Sequence, residues 1–295
     1  MLMSVPAAYL GVLLIWATTP LAIKWSGEGV GFLFGVSARM TLGALLGSLL
    51  MTVLARQLSW RREAVLTYLA SGLGIYGGML TVYWAAQYIP SGLISVLFGF
   101  TPIVTGLFAA IWLRESALTP RRLAGIGLGL AGLALIFGTG GELGEHAVVG
   151  IAGVLLSVVC FSLSSVWVKA IGAQLPALSA VTGGLLIAAP LFLLTWWLFD
   201  GQWPENIPAR AWRAIVYLGI VGSVLGYALF YYVLRHLEAS RVMLVTLLTP
   251  VLALLIGQIF NGERIAPVVW VGTCCILLGM AVHQWGDRLL QAKRV

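Results

Sequence analysis

Two threonine–proline pairs, Thr101-Pro102 and Thr249-Pro250, lie near the middle of long apolar runs. Proline withholds a backbone N–H and frees the carbonyl four residues earlier, here at Phe98 and Thr246. In an apolar setting such a carbonyl can accept from an ammonium or hydroxyl, unless a nearby hydroxyl such as Thr101 or Thr249 satisfies it first. Tyrosines at helical spacing add polar tips. Tyr76 and Tyr83 share a face of one run, and Ser223, Tyr227 and Tyr231 a face of another. Trp16 aligns with Pro20 and Lys24, and Ser165 with Ser162 and Lys169, although stripes of this kind also arise from plain packing. These are groups for non-covalent recognition. The chain has no Walker-type phosphate loop, no His-Glu metal motif and no buried acid pair, so neither a cofactor nor a metal is expected and the protein is not read as an enzyme.

The charges say where a solute could meet the chain. Arg39 is the one charge well inside an apolar run, about two turns from its end. At a helix centre it would cost about 2.5 to 3.5 kcal/mol on insertion scales, so it either snorkels to the surface or faces a solute carboxylate. All ten carboxylates, from Glu28 to Asp287, lie in loops or at the ends of runs, as do His146, His236 and His283. No acid is placed for a mid-membrane proton relay, which favours a facilitator running down a solute gradient. Glu115 and Glu263, at the ends of two runs, are the carboxylates that could titrate at a gate. Lys24 and Lys169 fit ordinary interfacial lysines first and gate residues second.

These residues must be held by membrane-spanning helices. The 295 residues are 60% apolar and 9% charged, with a mean hydropathy of +1.01. A span needs about 20 apolar residues. The chain offers ten such stretches, at 5–25, 31–54, 63–86, 91–113, 121–138, 147–171, 178–199, 211–234, 240–260 and 267–285. Their lengths and lack of strand alternation require helices, because in lipid each backbone must satisfy itself. The net charge of +7 comes from clusters between spans and reads as a topology signal, with no nucleic-acid partner implied. Twelve basic residues, including Arg56, Arg61, Arg62, Arg114, Arg235 and Lys169, fall on one side, against Lys24, Arg210, Arg213 and Arg264 on the other. Both termini are therefore expected in the cytoplasm. Cys160, Cys274 and Cys275 fall inside spans without metal-ligand spacing and read as packing residues. Trp60, Trp196, Trp197, Trp203, Trp212 and Trp285 sit at span ends or in loops and read as interfacial anchors.

The chain also repeats itself. Thr101-Pro102, Glu115, Pro120, Gly125 and Gly132 are matched by Thr249-Pro250, Glu263, Pro267, Gly272 and Gly279, and each glutamate follows its proline by thirteen residues. Leu73-Gly-Ile-Tyr-Gly77 pairs with Leu218-Gly-Ile-Val-Gly222, and Lys24 with Lys169. The expected halves are residues 1–140 and 141–295. Five spans per half force the second to enter the membrane from the opposite side, so the fold class is an all-α membrane protein of ten helices in two inverted five-helix repeats. Four-residue glycine pairs, Gly43/Gly47, Gly74/Gly78, Gly125/Gly129 and Gly222/Gly226, are expected to form close helix seams within one chain, in a monomer or weak dimer.

The layout, the Thr-Pro helices ending in Glu and the glycine-rich helix after each resemble the EamA branch of the drug/metabolite transporter superfamily, and within it YddG-type amino-acid exporters. The resemblance covers essentially the whole chain. It implies a cavity lined by spans 1, 3, 4, 6, 8 and 9, with spans 5 and 10 behind, and alternating access in a cell inner (plasma) membrane. Aromatic faces, hydroxyls and free carbonyls without a buried acid suit small zwitterionic solutes, with export of amino acids the first expectation. Export of other amphipathic metabolites or drugs, such as nucleosides or cationic compounds, is the alternative, with proton coupling open.

Overall fold

The computed structural model describes residues 4–114, 120–138, 145–226, 229, 233 and 244–291, and every described element is helical. The first helices are α1 (Val5–Ser26), α2 (Phe32–Val53) and α3 (Arg62–Ala85), then α4 (Ser91–Phe98), α5 (Thr101–Trp112) and α6 (Pro120–Phe137). There follow α7 (Ala147–Ile171), α8 (Ala177–Phe199) and α9 (Ala209–Tyr217), which runs into a π-helical segment, Leu218–Leu225. α10 (Leu244–Asn261) and α11 (Pro267–Gln291) complete the described chain. Among the described residues, six stretches are long and apolar enough to cross a bilayer: α1, α2, α3, the pair α4–α5, α7 and α8. Leu123–Ile136, Leu248–Asn261 and Pro267–Val282 are shorter apolar helices.

Proline marks where helices begin. Pro90, Pro176 and Pro208 each occupy the residue before α4, α8 and α9, where a fixed φ guides the chain in and a missing N–H costs nothing. Between α1 and α2 the chain turns through Gly29 and Gly31, whose φ values of 72° and 79° suit glycine alone.

Span 4 is not one kinked helix. The N–H of Gly99 donates to Val96 and that of Phe100 to Leu97, tightening the end of α4. A new helix then starts with Pro102 in its first turn. Pro102 therefore opens α5 instead of bending a continuous rod, whereas Pro250 lies inside α10. Across span 8 the chain widens into the π turn, where the Ser223 hydroxyl donates to Leu218 O at 3.0 Å.

Helices pack where side chains are small. α3 lies along α7 and α8, α2 along α8, α4 against α10, and α6 against α11. A Cβ on Gly132 would stand 2.5 Å from Gly272 O, and one on Gly279 2.6 Å from Gly125 O, so α6 and α11 touch backbone to backbone. α4 is wrapped on all sides, with Leu93, Ile94, Val96 and Leu97 fully buried.

Candidate functional site

At the end of the bundle that carries Lys24, three helices are tied by one carboxylate. Glu263 follows α10, and its side chain is 6% exposed. The Ser91 N–H, the first of α4, donates to both of its oxygens at 3.0 and 2.9 Å, and the Ser91 hydroxyl donates to Oε2 at 3.1 Å. The first N–H groups of a helix have no partner within it, so Glu263 caps α4 from another helix and meets the positive end of its dipole. Gly257 leaves the room: a Cβ there would strike the Glu263 carboxylate. Asn261 Nδ2 donates to Oε1 at 3.0 Å, and Trp25 Nε1 of α1 donates to Asn261 at 2.9 Å. Lys24 Nζ stands 3.9 Å from Glu263 and donates to Ile89 O at 3.0 Å. Beside this lock, Arg210 pairs with Glu28 at 3.6 Å and lies 5.3 Å over the Trp25 ring.

Deeper, the expected residues separate into those brought together and those kept apart. Arg39 does not snorkel. It is 4% exposed, and its Nη1 donates to the Tyr83 hydroxyl of α3 at 3.3 Å. Tyr76 points to α8, sharing a 2.6 Å hydrogen bond with Thr195 and packing its ring 4.9 Å from Phe192, so its hydroxyl holds helices together. Where α5 meets α7, Thr105 donates to Ser162 at 3.0 Å and Ser162 to Thr101 O at 3.4 Å, while the Thr101 hydroxyl is buried without a partner. Ser162 thus joins this polar group, whereas Ser165, on the exposed side of α7, bonds back to Phe161 O at 2.8 Å. Phe98 is half-buried, its ring 6.1 Å from Phe161. The Thr249 hydroxyl donates to Val245 O, so it does not close the Thr246 carbonyl freed by Pro250. Pro250 is buried, Trp16 is half-buried beside a cluster of α1 residues, and Lys169 is exposed at the end of α7. Tyr227, Tyr231, Glu115 and the Thr246 side chain lie outside the described residues.

α4 meets α10 so closely that a Cβ on Gly92 would stand 2.5 Å from Leu254 Cα, and Leu254 is fully buried. Two cavities are formed by the described residues. One, of about 700 Å³, lies between α1, α9 and α10 and is lined by Thr18, Leu21, Trp25, Tyr217, Ile256 and Phe260 among others. Across it the Thr18 and Tyr217 hydroxyls share a 2.6 Å hydrogen bond. The second, of about 220 Å³, lies between α1, α2 and α3, bounded by Lys24, Glu28, Phe32, Tyr83 and Gln87.

Sequence reasoning missed Ser91, Asn261 and Trp25. Each faces a partner more than 170 residues away, except for Asn261 reaching Glu263, so no local spacing marks them. It also took Trp196 for a surface anchor. Trp196 instead packs 6.0 Å from Phe34 with its Nε1 buried, while Trp60, Trp197, Trp203 and Trp212 are exposed.

A broken helix in a tight apolar bundle, with a polar lock at one end and cavities beside the seam, belongs to a multi-pass membrane protein that handles small solutes. The EamA-like transporter family matches residues 4–138 and again 148–283, and the chain belongs to that family. It is 28% identical to the uncharacterized transporter YvbV of Bacillus subtilis, over 81% of this chain and 79% of that protein. It is 24% identical to a probable terminal-alkyne amino-acid exporter of Streptantibioticus cattleyicolor, over 90% and 88%. A crystal structure at 23% identity shares the fold, with a TM-score of 0.65 over 96% of this chain and 97% of its own.

Proposed function

We propose that the protein exports small zwitterionic metabolites, amino acids first among them, across the inner membrane by alternating access, as a facilitator running down the solute gradient. The observation that carries this is the Glu263 lock. It holds α1, α4 and α10 at one end by contacts that can break and re-form without unfolding a helix. Rigid helices pivoting about such a lock are the expected machinery of a carrier whose site lies between repeats.

In this reading the chain forms two inverted halves, 1–140 and 141–295, with both termini in the cytoplasm and the Lys24 end outside. The helix pairings support it: α3 on α7 mirrors α9 on α1, and α4–α5 on α7 mirrors α10 on α1. The doubled family match agrees. Glu115 and Lys169 would then close the opposite end as Glu263 and Lys24 close this one. Amino acids are favoured by the similarity to the probable amino-acid exporter of Streptantibioticus cattleyicolor and by the absence of any acid within an expected span for a cationic solute.

The test is efflux of the common amino acids, a nucleoside and a cationic drug from proteoliposomes, with and without a pH gradient. At least one amino acid is expected to leave faster than from protein-free vesicles, at a rate the pH gradient does not change. A rate set by the gradient replaces the facilitator with a proton-coupled carrier, and no movement of any solute contradicts the proposal.

A further inference from the structure

We infer that Arg39 and the Tyr83 hydroxyl form a carboxylate-binding subsite. The inference rests on the transport proposal for its physiological setting, and on the following geometry for its chemistry. Arg39 is 4% exposed, yet no described carboxylate pairs with it: the ion pairs among the described residues are Lys24–Glu263 and Arg210–Glu28. Its neighbours are neutral. Nη1 reaches the Tyr83 hydroxyl at 3.3 Å and the Met79 sulfur at 3.8 Å, the guanidinium carbon stands 6.0 Å from the Tyr83 ring centre, and Nε is buried with no acceptor. A guanidinium cannot shed its charge by losing a proton, and a neutral hydroxyl and a thioether leave most of its N–H groups unsatisfied. A buried charge in that state calls for an anion.

The nearest open space lies beside its Tyr83 partner. Nη2 would be 3.8 Å from a Cβ on Gly222, and Gly222 lies in the π-helical segment, a widened turn of a kind that clusters at functional sites. Tyr83 also borders the cavity of about 220 Å³ between α1, α2 and α3, so the residue that contacts Arg39 is reachable from a space sized for a small solute. The planar fork of the guanidinium matches a carboxylate bidentately, and the Tyr83 hydroxyl supplies a further donor. One guanidinium balances one negative charge. Lys24, the cation that lines the cavity beside Tyr83, is held by Ile89 O and Glu263, so a carboxylate fits better than a phosphate dianion.

The experiment compares wild type, Arg39→Gln, Arg39→Lys and Tyr83→Phe, each full-length and monodisperse. Efflux of L-leucine and of L-leucinamide is measured from proteoliposomes, and the thermal midpoint is measured in detergent with L-leucine, L-leucinamide, acetate or inorganic phosphate. Wild type is expected to prefer leucine over its amide at least ten-fold. Arg39→Gln should abolish the preference by raising KM for leucine alone, with Tyr83→Phe and Arg39→Lys in between. Leucine should raise the midpoint of wild type and not of Arg39→Gln. An unchanged leucine-to-amide ratio in Arg39→Gln overturns the subsite, as does stabilisation by phosphate and not by leucine or acetate. If neither solute moves, that counts against leucine transport alone, and the melting arm decides the subsite: a midpoint rise that depends on Arg39 upholds it, and no rise overturns it.

Discussion

Glu263 replaces water at the first turn of a helix that does not contain it, and that substitution has a measurable cost when undone. Hydrogen bonds to a charged group contribute about 1.5 to 3 kcal/mol. Glu263→Ala strands the Ser91 N–H and is expected to destabilise the protein by about 2 kcal/mol, read as a lower thermal midpoint in detergent. Glu263→Gln keeps an acceptor and should lose about half as much. Lys24→Ala should cost less than either, because Lys24 is 28% exposed and 3.9 Å from its partner. If Lys24→Ala proves the more damaging, the capping account of Glu263 is wrong. The sequence singled out Glu263 through its distance from Pro250, but its role was not legible there, since Ser91 is 172 residues away. Arg39 was legible as an anomaly. Whether it snorkelled depended on how α3 packs beside α2, which one helix's residues cannot state.

Among the helices, the two prolines that look alike in sequence act differently. Pro102 sits in the first turn of α5, after α4 has already ended, so Pro102→Ala should leave stability within about 0.5 kcal/mol of wild type. Pro250 interrupts α10 from within, so Pro250→Ala restores a donor for the Thr246 carbonyl. It should raise the thermal midpoint while slowing transport, and a midpoint that falls instead would show the kink to be required for packing. Glycines offer a sharper contrast. Gly92→Val must push α4 off the Leu254 backbone, whereas a Cβ on Gly127 meets nothing within 4 Å. Gly92→Val is expected to abolish the folded, monodisperse protein and Gly127→Val to leave it intact, as gel filtration would report. Gly47, Gly74 and Gly78 were visible in the sequence as close-contact sites, whereas Gly222, expected to be one, makes only ordinary contacts. The partners of the first three were not visible, and neither was the π turn at Leu218–Leu225, because a one-residue widening leaves the apolar pattern unchanged.

Across the whole chain, hydropathy located several of the described helices closely, 5–25 corresponding to Val5–Ser26 and 147–171 to Ala147–Ile171, while the single span expected at 91–113 is two helices. Bilayer thickness fixes span length, so composition alone carries that information. The placement of open space is not legible in the sequence, because it depends on which seams close tightly, as α4 and α10 do where Gly92 meets Leu254. The proposed carrier must bind its solute, change its open end and return. Trans-stimulation in proteoliposomes tests that cycle most directly: vesicles are loaded with a labelled amino acid and diluted into buffer with or without the same unlabelled amino acid. External amino acid should accelerate exit of the label in wild type, and less so in Glu263→Ala, whose lock cannot close. Exit of label that is no faster than from protein-free vesicles, or that ignores external amino acid in every variant, would contradict transport by alternating access.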